Sequence, residues 1–157
     1  MKSPNPYTTS PRCSVEPTNI NIRAVAFEKF KHALDEWALG NEYAPFVTKD
    51  GSHFVSATCY KVEGVQAGFA VGGDNELLGM FNGSPISGLG DMMIKYSVRE
   101  GATHLSCFDG FLVELYKQHG FVESDRIEWK EKYKPDRWNY DRFGRPDVVC
   151  MTHATEL

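Results

Sequence analysis

The sequence predicts a mixed α+β fold built on a mostly antiparallel sheet, and three observations carry that prediction. Apolar residues recur at three- and four-residue intervals over 26–37 and again over 89–96, but the period changes to two between about 53 and 82. The period-two runs are joined by Glu63-Gly64 and by Gly72-Gly73-Asp74-Asn75, turns that suit an antiparallel meander. From residue 76 onward strand-type runs alternate with helix-type runs, and a strand–helix–strand crossover requires parallel strands.

Each element follows in order. Residues 1–18 carry Pro4, Pro6, Pro11 and Pro17 among Ser, Thr and Asn, which predicts an irregular arm with at most a short strand at Cys13-Ser14-Val15; 19–157 then form one domain. Ala26, Phe27, Phe30, Ala33, Leu34 and Trp37 predict the first helix, started by Thr18 or Asn19 and stopped by Gly40. Residues 53–60 and 65–71 read as a hairpin. Residues 76–82 read as a third strand, apolar on both faces and therefore central. Leu89, Met92, Met93 and Tyr96 predict a second helix closed at Glu100-Gly101. A strand at 103–108, a helix at 111–119 capped by Asp109, a strand at 121–129, an aromatic and basic loop at 130–146 and a strand at 147–153 complete the chain.

Composition bounds the function. The 157 residues are 41% hydrophobic and 24% charged, an ordinary balance for a globular domain that buries its own core. Seventeen Lys and Arg stand against 21 Asp and Glu, a net charge of −4, which demotes a whole-surface nucleic-acid binder. No apolar stretch is long enough for a bilayer, and the first residues lack the apolar core of a signal peptide, so a cytoplasmic protein with no membrane partner is expected. Cys13, Cys59, Cys107 and Cys150 are too far apart for a zinc motif, and the five histidines show no ligand spacing; reduced thiols and no metal are expected.

The chemistry concentrates between 76 and 121. Gly83-Ser84-Pro85-Ile86-Ser87-Gly88-Leu89-Gly90 opens onto a helix, so backbone N–H groups converge where the helix dipole favours an anion. Glycine at 88 and 90 leaves room for a phosphate to approach the backbone. About thirty residues on, the next helix ends in Leu115-Tyr116-Lys117-Gln118-His119-Gly120-Phe121.

This pair of motifs resembles the GNAT superfamily, the Gcn5-related N-acetyltransferases, whose acyl-CoA loop reads Gln/Arg-x-x-Gly-x-Gly/Ala and whose later helix carries a Tyr before a Gly-Phe stop. The likeness spans roughly 53–153, with motif-level detail in 76–122. The junction Cys107-Phe108-Asp109-Gly110 and the run 144–148 resemble small GNAT-like proteins of bacteriophages. The resemblance implies helices on both faces of the sheet, a splayed parallel strand pair at a cofactor cleft, and acetyl transfer from acetyl-CoA, as co-substrate, to an amine of a small molecule or protein. Carried over by position, Gly88 and Gly90 with the N–H groups of Ile86, Ser87 and Leu89 would hold the CoA pyrophosphate. The backbone of Met80 and Phe81 would pair with the pantetheine arm, and Tyr116 would protonate the departing thiolate. Pro85 stands where the family has Gln or Arg, and Asp91 adds a carboxylate beside the loop.

Several readings are then open. Glu76 and Asp109 are the acids nearest the cleft, but neither has the marks of a general base. His104 and Cys107 lie three apart on a strand, hence on opposite faces. The 130–146 loop carries six Lys or Arg against three acids, interleaved with Tyr133, Trp138, Tyr140 and Phe143. It borders the acceptor groove of GNAT-like folds, so Trp138, Tyr140 and Arg142 are candidates for acceptor or partner choice. The alternative to an enzyme is an inactive GNAT-fold binding protein, a phage-type factor acting on a host protein or nucleic acid. A protein partner and a homodimer are left open.

Overall fold

The computed structural model describes residues 20–156, so the arm at 1–18 and its Cys13 strand lie outside the described residues. The first element is a strand, β1 (Ile22–Val25), followed by helix α1 (Phe27–Ala38). This corrects the helix start expected at Thr18 or Asn19: Ala26 occupies the cap position in extended conformation without a side-chain cap. The β-branched Ile22 and Val25 instead join a sheet, with Ile22 opposite Val62 and Val25 opposite Cys59. The expected strand start at 53 is also corrected, because Gly51–Phe54 is a short 3₁₀ turn whose Asp50 side chain accepts from the Ser52 N–H.

β2 (Thr58–Val62), β3 (Ala67–Val71) and β4 (Leu77–Asn82) complete an antiparallel sheet of order β1-β2-β3-β4. β2 and β3, not β4, are its interior strands, and every residue of β3 is buried. The apolar faces of β4 have another cause: it is covered from both sides. Phe81 packs under α1 with Phe30, Leu34 and Trp37. Leu77 faces the other core, with Leu89, Met93 and Ile94 of α2 (Leu89–Arg99). Helices thus lie on both faces.

A second sheet of order β5-β7-β6 comprises β5 (His104–Phe108), β6 (Phe121–Ile127) and β7 (Val148–His153), all pairing antiparallel. Helix α3 (Phe111–Lys117) connects β5 to β6. The expected loop at 130–146 contains a 3₁₀ turn at Glu131–Tyr133 and one helical turn, α4 (Tyr140–Phe143), capped by the Asn139 side chain. Among the described residues no helix is long and apolar enough to cross a membrane.

The two sheets touch where β4 and β5 begin. Glu76 and His104 form a parallel bridge, and the Thr103 N–H donates to the Asn75 carbonyl at 2.9 Å. Beyond that bridge the strands part. A bulge on β4 helps part them: Ala70 faces Leu78 and Gly68 faces Phe81, so Phe69 alone opposes Gly79 and Met80. Gly79 takes φ +67°, and a Cβ there would stand 2.9 Å from the Phe54 ring, so only glycine fits.

Candidate active site: a splayed strand pair, an anion loop and an aromatic pocket

The wedge between β4 and β5 is floored by α3, whose Tyr116 side chain points back toward β4. Its ring is almost fully buried against Phe121, with centroids 5.8 Å apart. Its hydroxyl lies 4.0 Å from the Met80 sulfur, its one partner among the described residues. A thioether at that distance is a weak acceptor, so this buried phenol keeps hydrogen-bonding capacity unused. Burial, and then the neighbouring Cys107 thiol, push the phenol above its ordinary pKa, so it stays protonated. Cys107 on β5 is itself pushed up to about 12, chiefly by burial and further by Asp109 and Cys150, and stays a neutral thiol.

The glycine-rich loop leaves β4 at the open end of the wedge. Ser84 organises its first half: its N–H donates to the Asn82 side chain, and its hydroxyl accepts the Ile86 N–H at 3.1 Å. Ile86 and Leu89 then bury their side chains and pin the loop to the core. Gly88 takes φ +73°, and no atom lies within 4 Å of where its Cβ would be. Among the described residues, the N–H groups of Ser87, Gly88, Gly90 and Asp91 have no partner. The expected donor set is therefore corrected. The Ile86 N–H is taken by Ser84 and the Leu89 N–H by the Ile86 carbonyl at 3.3 Å, which leaves 87, 88, 90 and 91 free to face an anion.

Asp91 is the acid that would oppose such an anion, and it is partnered. Nε2 of His119, at the end of α3, lies 2.7 Å from its carboxylate, and the His119 side chain is nearly buried. The pair also ties the start of α2 to the helix that carries Tyr116. Met80 and Phe81 stand on β4 beyond the Glu76 bridge, on an edge that has no strand partner among the described residues. Phe81 sends its ring into the α1 core, while its backbone lies along that edge.

Asp109 and Glu76 occupy opposite ends of β5. Asp109 is not the cap expected for α3; Gly110 stands there, and the Asp109 carboxylate binds Arg126 at 2.7 Å. Arg126 also grips Glu123 and Asp147, and its hydrogen bond holds the Asp109 carboxyl below the usual carboxylate range. An acid so stabilised in its charged form is a poor proton acceptor. Glu76 lies at the closed end of the wedge with Asp74 and His104, their ligand atoms all within 4.8 Å of one another. This corrects the expectation that no histidine clusters with acids. The cluster is exposed or half-buried, and Thr103 already meets Nδ1 of His104.

The open end of β5 leads into a pocket of about 290 Å³. Tyr43 and Phe46 come from the loop after α1, Phe108 from β5, Phe111 from α3, and Arg142 and Phe143 from α4. The rings lean on one another, with Phe46 centred 5.4 Å from Phe108 and 4.8 Å from Phe143. Arg142 fastens the two loops together: its Nε contacts Glu42 at 2.7 Å and its Nη2 donates to the Tyr43 hydroxyl at 3.0 Å. Nothing local in the sequence announces this pocket, because its walls come from three separate segments.

Of the loop residues expected to choose an acceptor, only Arg142 lines the pocket. Trp138 is corrected from an exposed anchor to packing: it is 8% exposed, stacks on Phe46 and touches Phe108, Trp129 and Phe143. Its indole N–H donates to the Gly144 carbonyl at 2.8 Å. The Tyr140 hydroxyl donates to Glu131 at 2.5 Å, within a cluster that includes Trp129 and Arg145.

No protein-family model matches the chain, and no curated protein matches it in sequence. Solved structures do match its shape. An IAA acetyltransferase from Bacillus cereus superposes with a TM-score of 0.58 at 12% identity, covering 86% of this chain and 99% of its own. A GNAT family acetyltransferase from Elizabethkingia anophelis, solved with acetyl-CoA bound, gives 0.55 at 15% identity over 86% and 97%. Spermidine N-acetyltransferase from Vibrio cholerae, in complex with CoA and spermine, gives 0.53 at 15% over 85% and 94%. On that likeness, this chain has the fold of the GNAT acetyltransferases.

Proposed function

We propose that the chain is an acetyl-CoA-dependent N-acetyltransferase whose acceptor is a small amine. The observation that carries this reading is the Tyr116 hydroxyl. It is buried and protonated, among the described residues it is bonded only to a thioether at 4.0 Å, and it faces the wedge beside a strand edge and loop N–H groups that lack partners there.

The residues present fit acetyl-CoA. The N–H groups of Ser87, Gly88, Gly90 and Asp91 offer donors to a pyrophosphate, with open space at Gly88. The β4 edge at Met80 and Phe81 offers backbone groups to the amides of a pantetheine arm, as an added strand would. Acetyl-CoA supplies a thioester: the amine nitrogen bonds to its carbonyl carbon, the C–S bond breaks, the amine loses a proton and the thiolate gains one. Tyr116 supplies that proton and recovers one from the water that takes the amine's. Its raised pKa does not disqualify it, since a thiolate in the same desolvated wedge becomes more basic for the same reason. The remaining contribution is positional. Holding amine and thioester in attack geometry is worth up to about 7–11 kcal/mol, which suits a site without a dedicated base.

The alternative, a binding protein with a decayed cofactor cleft, has no observation in its favour. Its two sequence arguments weaken in the fold: Asp91 is offset by His119, and Pro85 leaves the loop's free donors in place. Calorimetry with acetyl-CoA on the wild type and on Gly88→Glu tests the reading. Micromolar binding that disappears in the variant is expected, and an absence of wild-type binding at millimolar ligand overturns it.

A further inference from the structure

We propose that the aromatic pocket beyond β5 selects a monoamine that carries an aromatic body and a carboxylate, the chemical class of an aromatic α-amino acid, and excludes polyamines. This rests on the acetyltransfer reading for the reaction, but the selection itself is a property of the pocket.

The lining sets the body of the ligand. Tyr43, Phe46, Phe108, Phe111 and Phe143 surround a space of about 290 Å³, with Leu112 and Pro146 filling between them. Rings arranged edge to face favour another flat apolar group and reward its burial. The surrounding rings also favour a cation close to their faces, which suits one ammonium at the edge of such a group.

The charges set its ends. Among the described residues, Asp109 and Arg142 are the charged residues lining the pocket, and they come from separate segments, the end of β5 and α4. Asp109, two residues after Cys107, is the carboxylate that an ammonium in the pocket can meet, and it shares its charge with Arg126. Arg142 stands on α4 with Nε on Glu42 and Nη2 on Tyr43, leaving Nη1 without a partner among the described residues. That N–H suits a carboxylate, through a charge-assisted hydrogen bond. A polyamine meets the opposite: its second and third ammonium groups need further carboxylates, but the pocket has one, already shared with Arg126, and faces the rest with a guanidinium.

The test uses the full chain without acetyl-CoA. Saturation-transfer NMR and calorimetry would rank L-phenylalanine, phenethylamine and spermidine. Expected is phenylalanine first, phenethylamine about threefold to tenfold weaker because Arg142 is half exposed, and spermidine not detectably bound. Arg142→Gln should erase the advantage of phenylalanine over phenethylamine, and Phe111→Ala, at a half-exposed position, should weaken both by about tenfold. Spermidine binding as tightly as phenylalanine overturns the proposal, as does an unchanged ranking in folded Arg142→Gln. If that variant fails to fold, the wild-type ranking alone decides. The reaction is separated by a parallel titration with acetyl-CoA. Phenylalanine binding without acetyl-CoA binding would sink the transferase reading and support the pocket, whereas acetyl transfer to spermidine in preference to phenylalanine would do the reverse.

Discussion

Replacing Tyr116 by Phe removes one oxygen atom and separates chemistry from structure. The ring contact with Phe121, centroids 5.8 Å apart, is retained. Among the described residues, the bond lost is the 4.0 Å approach to the Met80 sulfur. A buried hydroxyl so weakly satisfied carries an uncompensated desolvation penalty of about 1–3 kcal/mol, so its removal should leave stability unchanged or improve it. For a domain of this size each kcal/mol corresponds to about 2–4 °C, and the thermal midpoint should hold steady or rise by a few degrees. The rate should behave oppositely. A positioned general acid contributes about 10²–10⁴-fold, so kcat should fall by at least about a hundredfold while acetyl-CoA affinity is unchanged. Free-thiol release at saturating acetyl-CoA reads the first, and calorimetry reads the second. The wild-type rate should also show no decline near pH 10, where an ordinary phenol ionises, because burial and Cys107 raise this one. A variant within threefold of the wild-type rate would refute the assignment of Tyr116 as the acid. A fall of more than about 4 °C would show that the hydroxyl holds the fold instead.

Three further outcomes follow from the same geometry. Gly88→Glu forces a side chain onto a φ of +73° and a carboxylate toward the free N–H groups, so it should lose about 1–2 kcal/mol of stability and all measurable acetyl-CoA binding, checked by thermal melting and calorimetry. Trp138→Ala removes a buried indole from among four other rings and orphans the Gly144 carbonyl; a loss of about 3–5 kcal/mol in urea unfolding is expected, whereas near-wild-type stability would restore Trp138 as a surface contact. Glu131, held at about 2 by Tyr140, Trp129 and Arg145, has a depressed carboxyl, so its contribution to loop order is complete above its ordinary value of 4.5. That contribution should disappear as pH falls from 4.5 toward 2, and Glu131→Gln should flatten that acid limb in near-ultraviolet circular dichroism.

What the sequence shows, it shows through local physics. The periods of α1 and α2, the Glu63-Gly64 turn and the glycines at 88 and 90 are each decided within a few residues, and each is found in the fold. The errors share one cause. β1 was hidden because Ile22 and Val25 adjoin an amphipathic helix, and only the distant Val62 and Cys59 draw them into a sheet. Residues 53–55 have strand-like side chains, but Asp50 turns them into a 3₁₀ coil. The insertion of β7 between β5 and β6 likewise needs β5 to pair with β7 across forty or more residues, which no short window over the sequence contains. The candidate site divides the same way: the sequence motifs single out Tyr116 and the loop glycines as candidates, while the salt bridge from Asp109 to Arg126 and the five-ring pocket exist only after folding.

The two positions that break the family's loop pattern acquire a physical reading once their neighbours are known. A side chain at 85 could give an anion one flexible donor, but the donors that matter most are fixed by the backbone, and those at 87, 88, 90 and 91 depend on the turn rather than on residue 85. Proline restricts φ just where the chain must turn between Ser84 and the buried Ile86, so it stiffens the segment that aims those groups. Asp91 introduces a negative charge, yet His119 reaches it at 2.7 Å from the last turn of the Tyr116 region. That contact ties the loop–helix junction at the start of α2 to the segment that follows α3, the helix that carries Tyr116. A contact that joins the loop to the Tyr116 helix suits the proposed transfer, in which phosphate at one end of a long ligand places a thioester at the other.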